Sequence, residues 1–529
     1  MPFSKYPRTI LWAALALWLA APWAGAAQAD KPASPPPGLD AETARIMKAF
    51  EVPGIGLAVV KDGKVVVAKG YGVRRIGEPA PVDARTLFGI ASNTKVFTAA
   101  ALGLLVEEGK IAWDDPVINH LPWFAMYDPY VTREITVRDL LVHRSGLGLG
   151  AGDLLFWPPT TYGRKEIVRR LRYIKPATSF RSAYAYDNLL YSVAGEVIEA
   201  VSGRVWEDFV AERILAKVGM TRTNVRHSAA ADGDNVAATH AKIEGVLRVV
   251  KPSTNDNTNP AGGINSCAED MARWMLVLLG NGRLADGTRL YSERTARELA
   301  TIVTPIPNPD PAPELASLKS NVNGYALGLR IKDYRGLKVV THTGGLAGYV
   351  SQVWLVPERG LGIAVLTNQE VTEAFVALTM FITDHYLQAP KTDWLGAMVK
   401  VKARGEALTE AVVKKAAAAR DAGSKPSLAL EKYAGTYGDA WYGDIDIALE
   451  GGKLVLRFTK SLALVGDLEH WQYDTFLVRW RDRELRADAY VTFALNPDGT
   501  IEQAKMLPAS PDIDFSYDFQ DLLLKPVRK

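Results

Sequence analysis

Ser92 and Lys95 stand three positions apart in Phe88-Gly89-Ile90-Ala91-Ser92-Asn93-Thr94-Lys95. Val96 to Glu108 is rich in helix formers, and Gly109 suits the residue just past a helix end. This places Ser92 at or near a helix N-terminus. Positions i and i+3 share a helix face, with Cβ atoms about 5–6 Å apart. A lysine amine there reaches the serine hydroxyl and eases removal of its proton, and the helix N-terminus favours the charge that develops. Serine is a weak nucleophile without such help. The chemistry on offer is attack on a carbonyl with an acyl-enzyme intermediate. Taken alone, the spacing fits an N-cap serine followed by a solvated lysine better than it fits catalysis.

The surrounding chain decides between them. Asp40 to Phe50 has helical character. Gly56 to Lys61 and Lys64 to Ala68 flank Asp62-Gly63, a pair suited to the positive φ values of a type I′ hairpin turn. Helix, antiparallel hairpin and the Ser92 helix in that order predict an α+β domain rather than a parallel βαβ repeat. The 529 residues are 48% hydrophobic and 23% charged, an ordinary globular composition with room for two to four domains. A net charge of +3 implies neither nucleic acid nor an anionic membrane as partner. The single cysteine, Cys267, excludes an internal disulfide, and its position assigns it a structural role. No His-Glu-x-x-His, Cys/His zinc spacing or Gly-x-Ser-x-Gly elbow occurs.

Residues 1–29 read as an export signal: Lys5 and Arg8, an apolar run from Ile10 to Ala21, and Ala27-Gln28-Ala29 as cleavage site. The run is short for a membrane span, the rival reading being an uncleaved anchor. The mature chain is then expected to be secreted or periplasmic, without stable membrane insertion.

Val52-Pro53-Gly54-Ile55-Gly56-Leu57-Ala58-Val59-Val60, the Ser92 segment, and Leu140-Leu141-Val142-His143-Arg144-Ser145-Gly146-Leu147 together resemble the serine β-lactamase-related superfamily. The nearest branch is the class C β-lactamase, D-aminopeptidase and carboxylesterase group, of peptidase S12 type. The resemblance implies an antiparallel sheet flanked by helices, an all-helical subdomain, and two further motifs. Tyr186-Asp187-Asn188 matches Tyr-x-Asn, with Tyr184 as the rival tyrosine. His342-Thr343-Gly344 matches the third motif, and Asn259-Pro260-Ala261-Gly262-Gly263 is a further signature.

By that resemblance Lys95 and Tyr186 manage the proton of Ser92. A phenol beside an ammonium has its phenolate favoured, which makes Tyr186 a candidate general base. Asn188 orients Lys95 and meets the substrate. The N–H groups of Ser92 and Gly345 form an oxyanion hole, while His342, Thr343 and Gly344 line the substrate site. His143 reads as structural, capping a short helix. Residues 147–180 read either as a wall of the pocket or as a surface excursion.

His342 stands where class C β-lactamases carry lysine. An imidazole with a pKa near ~6.5 is mostly neutral at pH 7, so a substrate carboxylate should be held less well there. This argues against an efficient β-lactamase and for esters, amides or short D-peptides. The expected activity is therefore that of a serine hydrolase without metal or organic cofactor. A binding or sensor protein on the same fold, or an acyltransferase using the same residues, are the alternatives.

The domain plan is a signal at 1–29, a hydrolase domain at 30–390, a helical linker at 391–428 and a C-terminal domain at 429–529. Short strands with turn signals from Leu428 onward predict a small β-barrel, and Tyr433-Ala434-Gly435-Thr436-Tyr437 resembles the lipocalin-like accessory domain of this hydrolase group.

Overall fold

Asp62 and Gly63 make the expected turn, with φ of +49° and +75°, joining strand β1 (Gly54–Lys61) to β2 (Lys64–Gly72). The computed structural model describes residues 34–230 and 234–527. The export signal expected at residues 1–29 lies outside them. Among the described residues no helix is long and apolar enough to cross a membrane.

β1 pairs on its other side with the last strand of the same sheet. With β3 (Thr304–Pro305), β4 (Asn323–Tyr325), β5 (Arg330–Tyr334), β6 (Leu337–Leu346), β7 (Tyr349–Val356) and β8 (Leu361–Thr367), the order is β2-β1-β8-β7-β6-β5-β4-β3, antiparallel throughout. β6 runs past its neighbour: β5 pairs with it only from Leu337 to Thr341. The stretch from His342 to Leu346 therefore has one edge free of β5.

Helices cover both faces. Helix α1 (Leu39–Phe50) buries Leu39, Thr43, Ile46 and Phe50, one stripe at helical spacing. Helix α2 (Lys95–Glu107) is buried on all sides and forms the centre of the opposite layer. Helix α3 (Leu189–Ser202) packs beside it, and α4 (Ala268–Leu279) lies against the sheet. On the α1 face, α5 (Thr372–Tyr386) and α6 (Trp394–Ala418) complete the cover. The subdomain between the first and third motifs is not all helical. It carries a hairpin, His240–Ile243 with Val246–Val249, which the charged residues inside those short strands hide from pattern reading.

The C-terminal strands are β9 (Gly435–Asp439), β10 (Gly443–Glu450), β11 (Lys453–Phe458), β12 (Val465–Gln472), β13 (Thr475–Trp480), β14 (Ala489–Leu495), β15 (Ile501–Pro508) and β16 (Lys525–Pro526). Their order is β15-β14-β13-β12-β11-β10-β9-β16. Ala504 on β15 exchanges backbone hydrogen bonds of 2.7 and 3.0 Å with Leu524, just before β16, bringing the two ends together as a near-closed barrel. α6 does not act as a free linker. Its start is pinned to α5 by Trp394 Nε1 donating to Asp384 at 2.8 Å, and Arg420, past its end, donates to the Trp471 carbonyl of the barrel at 2.7 Å.

The barrel interior and the Ser92-side core form one continuous apolar cluster. Tyr162 and Tyr442 meet edge to face, the Tyr162 hydroxyl donates to the Tyr442 carbonyl, and Arg170 donates to the Trp441 carbonyl at 2.9 Å. Tyr442→Ala is expected to cost about 3–5 kcal/mol and to lower the denaturant midpoint of a single transition followed by fluorescence and far-UV dichroism. Two separated transitions would show that the barrel and the hydrolase body unfold independently.

Candidate active site

Ser92 lies in a 3₁₀ turn, Ala91–Thr94, that runs into α2. Ala91 holds φ of +48°, a conformation uncommon outside glycine and one that persists only where its surroundings enforce it. The enforcement is visible. Ile90 N–H donates to the Ile264 carbonyl at 3.0 Å, and Ser351 Oγ donates to the Ile90 carbonyl at 2.8 Å. Asn93 Nδ2 donates to Ser351 Oγ at 2.8 Å. Gly344 on β6 lies so close that any Cβ would stand 2.2 Å from the Ile90 oxygen, so only glycine lets the strand approach the nucleophile's turn.

Lys95 Nζ is 3.0 Å from Ser92 Oγ, and it donates to Asn188 Oδ1 at 2.8 Å and to the Ala261 carbonyl at 3.0 Å. The ammonium is fully buried, and burial pushes its pKa down to about 7 against the opposing pull of Asp153 and Asp187. Its neutral amine satisfies this geometry well: two N–H bonds go to the two acceptors, and the lone pair faces the Ser92 hydroxyl. The Tyr186 hydroxyl donates to Ser92 Oγ at 2.8 Å. Burial raises the pKa of Tyr186 well above the ordinary phenol value, so desolvation overrides the neighbouring lysine and the side chain stays protonated. The phenolate expected from sequence is not the resting form.

His143 does not cap a helix. It is buried beneath the site, its ring 4.3 Å from that of Tyr186, with Nδ1 accepting from Asp187 N–H at 3.2 Å. His342 accepts at Nε2 from the Tyr325 hydroxyl at 2.6 Å when its proton sits on Nδ1, which contacts the Thr343 carbonyl at 2.6 Å. Burial, then the Lys95 charge, pushes its pKa down to about 3, so it is neutral here. Positive charge in the cavity comes instead from Arg330 and Lys332 on β5. Cys267 is buried at the foot of α4, and burial pushes its thiol up to about 12, which leaves it inert.

The residues from all three motifs line one cavity of about 430 Å³, except Lys95, buried beneath its floor, and Gly344, packed against the Ser92 turn. Ser92, Tyr186, Asn188, His342, Thr343 and Gly345 face it, together with Tyr184. Residues 156–157 form part of its wall, which resolves the expectation for the 147–180 stretch in favour of a wall at that point. The opposite wall comes from the C-terminal domain. Phe515 meets the Tyr186 ring edge to face at 6.1 Å. Ser516 Oγ donates to Asp153 Oδ2 at 2.8 Å, and Asn188 Nδ2 donates to the same oxygen at 2.8 Å. Asp518 accepts from Gly152 N–H at 2.5 Å and Leu154 N–H at 3.0 Å, bracing both sides of Asp153.

Asn188 thus holds Lys95 with its oxygen and Asp153 with its nitrogen, and the barrel's Ser516 stands at the far end of the chain. Burial pushes the Asp153 carboxyl up to about 8. Motif reading did not find Asp153, Tyr325, Phe515, Ser516 or Asp518, and named Ala261 only as part of the Asn259 to Gly263 signature. The available signal was the alternation of acidic and aromatic residues in Asp512-Ile513-Asp514-Phe515-Ser516-Tyr517-Asp518-Phe519.

Two outcomes follow from this geometry. Labelling of Ser92 by a fluorophosphonate should rise with pH through a midpoint of about 7 and then level, because the reactive form has Lys95 neutral. A midpoint above pH 9 would instead make the Tyr186 phenolate the base. Ser516→Ala should slow labelling about three- to tenfold, the scale of one lost hydrogen bond, and move the midpoint downward. Without Ser516 the Asp153 carboxylate is less favoured, and it then supports the Lys95 ammonium less. Stopped-flow labelling across pH reads both.

A family model described as Beta-lactamase matches residues 39–387, and one described as a domain of unknown function, DUF3471, matches residues 419–526. The chain is similar to unguisins hydrolase ungD of Aspergillus violaceofuscus, 27% identical over 87% of this chain and 85% of that protein. The structure resembles the octameric penicillin-binding protein homologue from Pyrococcus abyssi, with a TM-score of 0.57 and 23% identity over 92% of this chain and 98% of that one. It also resembles a D-stereospecific amidohydrolase from Streptomyces sp., with a TM-score of 0.50 and 25% identity over 63% of this chain and 95% of that one. With Ser92, Lys95 and Tyr186 gathered on an antiparallel α+β scaffold, this chain belongs to the Beta-lactamase family as a serine hydrolase.

Proposed function

We propose that the protein cleaves amide bonds in short peptides bearing D-residues, through an acyl-enzyme on Ser92. The observation that carries this is the triangle of Ser92 with Lys95 at 3.0 Å and a protonated Tyr186 at 2.8 Å. Neutral Lys95 takes the proton from Ser92 as Oγ bonds to the carbonyl carbon. The Tyr186 hydroxyl then gives its proton to the departing amine nitrogen as the C–N bond breaks. The resulting phenolate lies beside the Lys95 ammonium, whose Nζ is 4.8 Å from the Tyr186 ring centroid. Return of the proton from ammonium to phenolate resets the pair for attack by water.

An amine departs only when protonated, whereas an alcohol leaves more readily, so a tyrosine kept as the acid favours amides over esters. In this reading the N–H groups of Ser92 and Gly345 hold the oxyanion. Supporting it, Gly345 lines the cavity on the edge of β6 that β5 leaves free. The likeness to the Streptomyces D-stereospecific amidohydrolase supports D-residues, and with His342 neutral the cavity's positive charge lies at Arg330 and Lys332. The N-terminal leader would place this activity outside the cytoplasm.

The test is a panel of enantiomeric aminoacyl anilides and capped dipeptide amides, with Ser92→Ala alongside. Faster turnover of D than L substrates, and loss of at least about 10³-fold in Ser92→Ala, is the expected result. Preference for L substrates, or turnover surviving Ser92→Ala, would overturn the reading.

A further inference from the structure

A larger cavity adjoins the catalytic one. The second chamber, of about 830 Å³, lies between the hydrolase body and the barrel, and both chambers share Trp157, Gly345, Leu346 and Asp514 as walls. Each volume is in the range of built ligand sites. Hydrolase residues 157–161, 250–254 and 345–350 form one side, and barrel residues 460–463, 482–486 and 512–517 form the other. Gly345, which holds the oxyanion in the reading above, sits on the shared wall. A scissile carbonyl placed against it stands at the junction, so a substrate chain leaving the catalytic chamber on that side enters the second one.

Two ion pairs take up four of the second chamber's charges: Arg486 binds both oxygens of Glu370 at 2.6 and 2.8 Å, and Lys251 reaches Asp482 at 2.8 Å. The others meet neutral partners: Glu484 accepts from the Lys251 N–H at 2.9 Å, Asp512 from the Thr409 hydroxyl at 2.5 Å and Asp514 from the Ser516 N–H at 2.9 Å, while Lys460 lies over the Tyr162 ring. Between these pairs the surface is apolar: Pro158, Pro159, Leu346, Leu462 and Leu485. Leu462, on a barrel loop, is 68% exposed and lines this chamber.

We infer that this chamber is the second half of the substrate site and takes an uncharged, apolar peptide segment flanking the scissile bond, so the enzyme acts on chains of several residues rather than on single aminoacyl groups. This rests on the amide-cleaving reading but is testable without turnover. The probes are capped peptides of D-alanine and D-leucine, a dipeptide and a hexapeptide, scored by their protection of Ser92 from a fluorophosphonate in the full-length protein. The hexapeptide should protect at concentrations at least about tenfold lower, the scale of one extra buried apolar contact pair. In Leu462→Trp, which fills the chamber from an exposed position, that advantage should shrink to about twofold or less. A hexapeptide of D-lysine or D-glutamate should gain nothing over its dipeptide.

Equal protection by dipeptide and hexapeptide overturns the assignment, as does a length advantage unchanged in Leu462→Trp. Equal gains for charged hexapeptides overturn its apolar character. Release of new amine is read in the same tubes: length-dependent protection without hydrolysis sinks the D-peptide reading while leaving the chamber assigned.

Discussion

The desolvation of one lysine organises this protein. An ammonium taken out of water is costly, and at Lys95 the cost is met by giving up the proton near neutral pH. Everything around it serves that end. α2 carries Lys95 in its first turn, buried on every side, where Asn188 Oδ1, the Ala261 carbonyl and Ser92 Oγ surround its nitrogen. The same burial that makes the lysine basic keeps Tyr186 an acid. A shared apolar environment thus favours the neutral form of both neighbouring groups, which in the proposed reaction divides proton removal from proton delivery between them.

Much of this was legible in the amino-acid sequence because it is local. Ser92-x-x-Lys95, Tyr186-x-Asn188 and His342-x-Gly344 each lie within a turn of helix or a few strand residues, and the Asp62-Gly63 turn is set by two residues alone. What was not legible is non-local or depends on burial. The protonation states of Tyr186 and Lys95 come from how deeply the fold encloses them, which spacing does not reveal. The bond from Ser516 to Asp153 joins residues 363 positions apart, and no short motif records it. Strand Val465–Gln472 carries Asp467 and Glu469 on its outward side, so it lacks the apolar run that marks its neighbours.

The barrel is more than an appendage. It shares an apolar core with the hydrolase body, and one strap of it, from Asp512 to Asp518, reaches the site beside Tyr186 and the Asp153–Asn188 pair. The strap braces the short Asp153 helix at two backbone N–H groups and one carboxylate oxygen. A domain that could have been tethered loosely is instead fixed at the place where small displacements matter most to a reaction.

That arrangement has a temporal meaning. Residues 512–518 leave the ribosome long after Ser92 and Lys95 have been made, so the wall of the cavity is among the last of these parts to arrive. The cavity therefore has all its walls only once the C-terminal strap is seated against the hydrolase body.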